Sequence, residues 1–410
     1  MKTKETHGVL AEPKLGLKEN WKQFFLLVLI NAFVGGMVGM ERSILPQIAV
    51  QEFALSAKLA VLSFIVVFGL VKAFTNLLTG TLANLFGRKK LLVMGWVIAI
   101  PIPFMLMFAP SWNWIVAANV LLGINQGLAW SSTVLMKIDL VGSKQRGLAM
   151  GLNEFAGYLS IALVAFFTGY IATEYGLRPY PFYIGIGLLV LGLLASIFLV
   201  KDTHSHAILE GSESTILRSK NVFWTTTWTD KNLSSITQAG LVNNLNDGMV
   251  WGIFPMVLIA KGFDLTSVGI IVGIYPAVWG IGQLFTGFLA DRICKKKLLF
   301  LGMLLQAISI LFMPGASLYW HFELLAFGLG IGTALVYPTF LAGIAEQTHP
   351  IDRPKSMGVF RFWRDLGYAV GALITGVISD IWNLEYAILF IGLITLASSF
   401  LIKFRMQQCK

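Results

Sequence analysis

Six ionisable side chains stand inside long apolar stretches of this chain: Lys72, Glu154, Asp247, Arg361, Arg364 and Asp365. A charge at the middle of a lipid-embedded helix costs about 2.5–3.5 kcal/mol by insertion measurements. Such a group therefore faces a partner or a water-filled cavity. Arg361, Arg364 and Asp365 follow one another at i, i+3 and i+4, which puts them on one face of a helix. Three cations against three carboxylates permit internal pairing, and a carboxylate so placed can also take up and release a proton. Glu154, Asp247 and Asp365, in that order, are the candidates for proton uptake.

Amides form the second group. LVNNLND at 241–247 is unusually polar for an apolar run, with Asn243, Asn246 and Asp247 on one face and Asn244 to one side. Asn31, Asn125 and Gln126 stand in other runs, and Trp130, Tyr275, Trp279 and Tyr337 offer aromatic walls. Amides donate and accept, which suits a neutral or zwitterionic polar solute in a central cavity. Each of them can equally serve as glue between helices; the cluster at 243–247 favours the cavity.

Other chemistries find no support. His7, His204, His206 and His349 lie outside the apolar runs and His321 sits at an edge. Neither H-E-x-x-H nor G-x-x-x-x-G-K-[ST] occurs. The chain is expected to be no enzyme, to hold no metal or cofactor, and to draw energy from a proton gradient if from anything.

The elements that position these residues follow from composition. Hydrophobic residues make up 56% of 410 and charged ones 13%, against roughly a quarter charged in a soluble domain. Lipid must be the solvent for most of this surface. The net charge of +10 is spread in short clusters between apolar runs, which argues for membrane lipids rather than nucleic acid as the partner. Cys294 and Cys409 both fall in segments read as cytoplasmic, so no structural disulfide is expected. The first 20 residues are polar without a cleavable signal pattern.

At roughly 20 residues per crossing, twelve spans emerge: 23–45, 57–83, 91–108, 112–136, 148–171, 181–200, 236–260, 266–290, 298–314, 318–344, 356–381 and 385–403. The expected organisation is a tail (1–22), a six-helix bundle (23–200), a linker (201–235), a second six-helix bundle (236–403) and a short tail (404–410). Lys and Arg gather in 1–22, 88–90, 137–146, 201–235, 292–297, 353–355 and 403–410, whereas the opposite side has Arg42, Lys58, Arg178 and Lys261. By the positive-inside rule both termini and the linker are cytoplasmic. Glu41 and Arg42 read as an interfacial pair at the outer end of the first span. Trp224 and Trp228 in the linker suggest a short helix at the inner interface.

The halves repeat one another. Asn31 precedes Gly36-Met37-Val38 at the spacing at which Asn243 precedes Gly248-Met249-Val250. Most telling, GTLANLFGRKK at 80–90 returns as GFLADRICKKK at 287–297. These strings resemble the loop signature of the major facilitator superfamily, roughly G-x-L-A-D-R-x-G-R-K, which falls between helices 2 and 3 with a weaker echo between 8 and 9. The first copy keeps Gly80, Gly87, Arg88 and Lys89 but has Asn84 at the acidic position. The second keeps Gly287, Asp291 and Arg292 but has Cys294 at the second glycine. The strings at 151–158, 175–183 and 360–373 resemble a bacterial branch of that family.

The resemblance, over the whole chain, implies an all-α integral membrane protein of two pseudo-symmetric bundles that moves a small organic solute by alternating access. It places helices 2 and 11 in contact, so that Lys72 and Asp365 can pair, and helices 5 and 8, so that Glu154 would face Trp279 and Gln283. It implies a latch between each acidic loop position and the start of helix 11 or 5. Asn84 then predicts a weaker first latch, Asp291 a stronger second one, and Asn84→Asp a slower inward opening. Arg88, Lys89 and Lys90 are expected to anchor the turn to lipid headgroups. Export is the favoured direction, though the G-P-x-x-G-G string of proton-driven exporters is absent. Uptake is the second reading; a lipid flippase and a non-transporting receptor are more distant. The protein is expected to sit in a bacterial inner membrane and to work as a monomer.

Overall fold

The computed structural model describes residues 13–55, 58–263 and 265–407. Twelve long helices carry the fold: α1 (Trp21–Arg42), α2 (Lys58–Phe86), α3 (Arg88–Ala99), α4 (Trp112–Val141), α5 (Arg146–Tyr175), α6 (Tyr183–Phe198), α7 (Lys231–Gly252), α8 (Leu265–Arg292), α9 (Lys295–Phe312), α10 (Tyr319–Gln347), α11 (Arg353–Ile381) and α12 (Leu384–Arg405). Short helices extend α1, α3 and α7 beyond breaks, each with a proline in its first turn, where proline's missing N–H costs nothing. The described residues contain no strand.

Eight segments, those of α1, α2, α3, α5, α6, α8, α10 and α12, are long and apolar enough to cross a membrane. The other four helices of the bundle are more polar: α7 holds LVNNLND, α11 its three charges, α9 begins with three lysines, and α4 carries Asn125, Gln126, Lys137 and Asp139. Packed among other helices, they need not satisfy lipid on all sides. Most helices run a few residues past their expected ends on the side of the termini, because the chain stays helical beyond the apolar stretch.

The repeat reappears in the packing. Within the halves α1 lies on α5 and α7 on α11; α2 lies on α4 and α8 on α10. Between the halves α2 meets α11 and α5 meets α8. Small residues make the second set possible. A Cβ on Gly80 would lie 2.5 Å from the Pro354 carbonyl, and one on Gly287 would lie 2.7 Å from that of Gly147.

Both seams belong to one end of the molecule. Gly269 shares the face of α8 that bears Gly287, about five turns away, and has nothing within 4 Å of a projected Cβ. Gly376 stands in the same relation to Gly358 on α11 and is equally free. The halves thus touch on the side of the termini and part on the other. That the termini share a side follows from Gly16 N–H donating to the Leu140 carbonyl at 2.8 Å and Gln407 N–H to Asn232 Oδ1 at 2.8 Å, with the linker lying across this end.

The linker is part of the closure. His204–Ser212 forms a short helix whose Glu210 reaches Arg353 of α11 at 2.9 Å through both oxygens and also Arg146 of α5. Asp139 of α4 accepts from Arg88 (3.1 Å) and Thr203 (2.9 Å), and Arg88 contacts His204 at 2.6 Å. Arg88 is buried, and Lys89 bonds the Ile197 carbonyl at 2.8 Å and the Asp202 carboxylate through its N–H. The headgroup role expected for these two therefore gives way to contacts inside the protein. Gly87 takes φ +83° at the turn, the left-handed region that favours glycine. Arg292 lies 4.0 Å over the Phe288 ring. Trp224 and Trp228 are exposed, on a turn of helix followed by a π-helical turn. Cys294 is disulfide-bonded, against the expectation of free thiols; that expectation rested on compartment, which does not bear on proximity. Cys409, the other cysteine, lies outside the described residues.

The two acidic-position residues behave differently. Asp291 accepts from the N–H of Gly147 (2.7 Å) and Leu148 (2.9 Å), capping the first turn of α5. Asn84 donates its amide to the Ile351 carbonyl at 2.7 Å. A carboxylate at 84 would set two acceptors face to face, so the sign expected from the repeat reverses. Asn84→Asp should loosen the α2–α11 seam, and Asp291→Asn should loosen the α5–α8 seam more, since charge-assisted bonds are about twice as strong. Spin labels at Lys144 and Lys297 should report longer distances in both variants; a shortening in Asn84→Asp would contradict the bond.

Burial pushes the Glu210 carboxyl up, but hydrogen bonds and charge from Arg353 and Arg146 outweigh it and hold it below its ordinary 4.5. A lowered folded value means that its stabilisation is complete above that pH and fades as pH falls through the folded value. The gap in thermal unfolding between the wild type and Glu210→Gln should hold at neutral pH and close in acid.

Candidate functional site

Where the halves begin to part, charged side chains of α11 meet the N-terminal half. Arg361, fully buried, donates through Nη1 to Ser131 Oγ of α4 (3.0 Å). Ser131 donates to Asn76 Oδ1 of α2 (2.6 Å), and Asn76 Nδ2 donates to Asp365 Oδ2 (2.6 Å). Asp365 Oδ1 accepts from Arg364 Nε (2.7 Å) and lies 2.6 Å from its Nη2. On the other flank Arg361 Nη2 stands 3.8 Å from Glu154 of α5. Glu154 accepts from Asn153 at 2.6 Å and from the Trp130 indole at 3.3 Å. The chain from Glu154 to Arg364 is continuous and crosses between the halves three times.

Aromatic rings lie beside it. Tyr158 of α5 packs on Trp279 of α8 with centroids 4.2 Å apart, on Trp130 of α4 (5.7 Å) and on Tyr337 of α10 (6.0 Å), whose hydroxyl it meets at 3.0 Å. Trp279 stacks on Tyr275. Arg364 stands over Tyr337 at 5.4 Å and Lys72 over Trp130 at 5.5 Å. Asp247 accepts the Tyr275 hydroxyl, which lies 3.4 Å from Thr333.

Several expected partners change. Lys72 does not pair with Asp365, whose oxygens are taken by Asn76 and Arg364; its ammonium lies over Phe68 and Trp130 instead. Glu154 turns to Trp130 and Arg361 rather than to Trp279 and Gln283, and Tyr158, one turn on, meets Trp279. Glu41 is buried and accepts from Asn119 at 3.1 Å, so it is not an interfacial residue.

The amides also differ from a cavity lining. Asn31 bonds the Asn153 carbonyl (2.9 Å) and Thr133 (2.8 Å); Asn125 bonds the Gly95 carbonyl (3.0 Å) and Gln126 that of Val34 (2.7 Å). Asn246 donates to Gln306 (2.7 Å) and accepts from Thr395 (2.8 Å), while Gln306 donates to Asn243 (3.1 Å). Each is fully buried between helices of its own half. In this conformation all five act as packing bonds. A helix buried on most of its faces gives no periodic sign of which one meets the cavity, which is why the sequence pointed elsewhere.

Four participants were missed. Asn76 stands one turn from Lys72, and an amide in so apolar a helix was a usable signal; Tyr158 stands one turn from Glu154. Ser131 carries no signal of its own. Lys137, counted among loop cations, is buried in α4 and donates to the Leu27 carbonyl at 3.1 Å. It raises the cations around the site to four, against three carboxylates.

Two six-helix halves in parallel repeat, closed at one end over charges buried between them, define a multi-pass membrane transporter. Residues 24–237 and 236–407 each match the sequence profile of the Major Facilitator Superfamily, and the chain belongs to that family, whose members are transporters and not enzymes. The multidrug resistance protein MdtG of Salmonella typhimurium is 23% identical over 371 residues, covering 88% of this chain and 89% of that protein. The human organic anion transporter MFSD10 shares the fold with a TM-score of 0.76 at 15% identity, covering 93% of this chain and 99% of that one. FucP, a transporter solved in the outward conformation, does so at 0.76 and 14%, covering 94% and 98%. The proton:xylose symporter XylE gives 0.76 and 13%, covering 95% and 97%.

Asp365→Asn would leave Arg364 buried without its carboxylate. Breaking a buried pair from one side costs about 3–5 kcal/mol, so this variant should unfold well below the wild type in a detergent thermal melt. Asp365→Asn with Arg364→Gln should recover much of the difference; no recovery would show that the pair does not act as one unit.

Proposed function

We propose that the protein is a secondary transporter that moves a small organic solute by alternating access, coupled to protons and working in the export direction. The observation that carries this reading is the position of the charged chain: it bridges the halves where the closed end gives way to the open one. With the termini in the cytoplasm, as the cation distribution indicates, the conformation is outward-open, in a bacterial inner membrane. Rocking to the inward-open state must part Arg361 from Glu154 and Ser131, and Asn76 from Asp365. A solute or a proton that satisfies the separated groups makes that movement feasible.

Glu154 is the favoured proton site. It lies on the seam, its cationic neighbour belongs to the opposite half, and that neighbour stands beyond hydrogen-bond distance. Asp365 holds its arginine on its own helix, and Asp247 engages a tyrosine of its own half. Export is supported by the similarity to a multidrug resistance protein. Uptake is the second reading, since the same open end would load solute from outside and a proton symporter shares this fold.

Counterflow into proteoliposomes, with and without a pH gradient, tests both parts. Wild-type protein should concentrate solute under the gradient. Glu154→Gln should abolish the gradient's effect while retaining exchange. Gradient-driven flux that survives in Glu154→Gln would remove this residue as the coupling site.

A further inference from the structure

We infer that the solute is an organic anion: a carboxylate or similar acid on an aromatic or otherwise apolar body, with Lys72 receiving the charge. The inference rests on the central site being the solute site. Its basis is a pairing of every charge around that site. Arg364 is matched by Asp365 on two contacts. Lys137 is held by a backbone carbonyl. Glu154 accepts two N–H bonds and has Arg361 beyond them at 3.8 Å. Asp247 takes a tyrosine hydroxyl. Lys72, only partly buried, is left with two aromatic faces, Phe68 at 5.6 Å and Trp130 at 5.5 Å, and no carboxylate within ion-pair distance among the described residues.

Unfilled donors accompany it. Arg361 has Nε and Nη2 buried without a hydrogen-bond partner, and so does the Nε1 of Trp279, a residue 4% exposed. Lys72, Arg361 and Trp279 are tied together through Trp130, Glu154 and Tyr158. Buried donors left without acceptors cost free energy, and an anionic group seated beside Lys72 would bring acceptors into this neighbourhood. The rings of Trp130, Tyr158, Trp279 and Tyr337 give the apolar body a wall.

Arg42 extends the pattern toward the open end. It lies 5.0 Å over the other ring neighbour of Lys72, Phe68, and 6.0 Å over Phe64. The adjacent carboxylate, Glu41, is buried against Asn119 of α4 instead. Two cations that share one phenyl ring and have no carboxylate within ion-pair distance among the described residues mark a route that attracts anions inward. The opposing feature is Asp247, which has no cation within ion-pair distance among the described residues and would favour an amine; the probes below set the two against each other.

Naphthoate, naphthylmethanol and naphthylmethylamine share one body and differ in charge. Their binding to the full chain in lipid nanodiscs, followed by tryptophan fluorescence and thermal shift without any gradient, decides the matter. Naphthoate should bind tightest, Lys72→Gln should weaken it about thirtyfold or more, and Lys72→Arg should restore most of it. Competition in the wild-type protein by benzoate, and not by benzylamine, reads the same preference without a variant. Amine or alcohol binding as tight as the acid, or no Lys72-dependent binding of naphthoate, overturns the inference. Counterflow of an amine with none of the acid would also overturn it while leaving transport intact. Lys72-dependent naphthoate binding without flux of any solute would support the anion site and fail the transport reading.

Discussion

A guanidinium buried in a membrane-embedded bundle depends on whatever polar groups reach it, and in this protein those that reach Arg361 belong to the other half of the molecule. Ser131 and Glu154 reach it from α4 and α5, and Asn76 reaches its neighbour Asp365 from α2. Closing the end that carries the termini therefore also brings Arg361 and Asp365 of α11 their partners from the first half. The glycine contacts at Gly80 and Gly287 let the helices approach closely enough for these bonds to form. Electrostatics and packing support the same conformation, and neither would hold it as well alone.

Two layers stabilise this arrangement. The inner one is the buried chain from Glu154 to Arg364. The outer one is made by the linker, where Glu210 joins Arg146 of the first half to Arg353 of the second. The linker is thus more than a tether of sufficient length, since it supplies a carboxylate shared by arginines of both halves. Asp352 adds to this layer by accepting from Ser219 N–H at 3.0 Å and from Arg218 at 3.2 Å. Arg218 is largely exposed, so that pair contributes little; the buried Glu210 fork carries more.

Much of this was legible in the sequence because the signals were local. Apolar run length gave the spans, and the doubled string at 80–90 and 287–297 gave the repeat. The i, i+3, i+4 spacing of Arg361, Arg364 and Asp365 placed them together. The partners of buried polar groups were not legible. Asn125 and Asn246 look alike as amides in apolar helices, yet one finds a carbonyl of α3 and the other Gln306 of α9. Choosing among such partners depends on the rotation of each helix, which amphipathicity cannot report when most faces are buried. Lys137, Arg88 and Arg353 looked like loop cations because charge near a helix end reads as a boundary. The helices continue through them and turn them inward.

The unequal treatment of the doubled string has a geometric consequence. At the doubled string itself one seam is joined by a carboxylate clasping two backbone N–H groups and the other by a neutral amide on a carbonyl, with Asn76 donating to Asp365 further along α2 and α11. At that level a rigid half pivoting against its twin would find less resistance at the α2–α11 end than at the α5–α8 end. A pivot that began at the looser latch would carry a roll as well as a tilt. Matched latches would part together; here one exchanged atom group at position 84 leaves the two unequal.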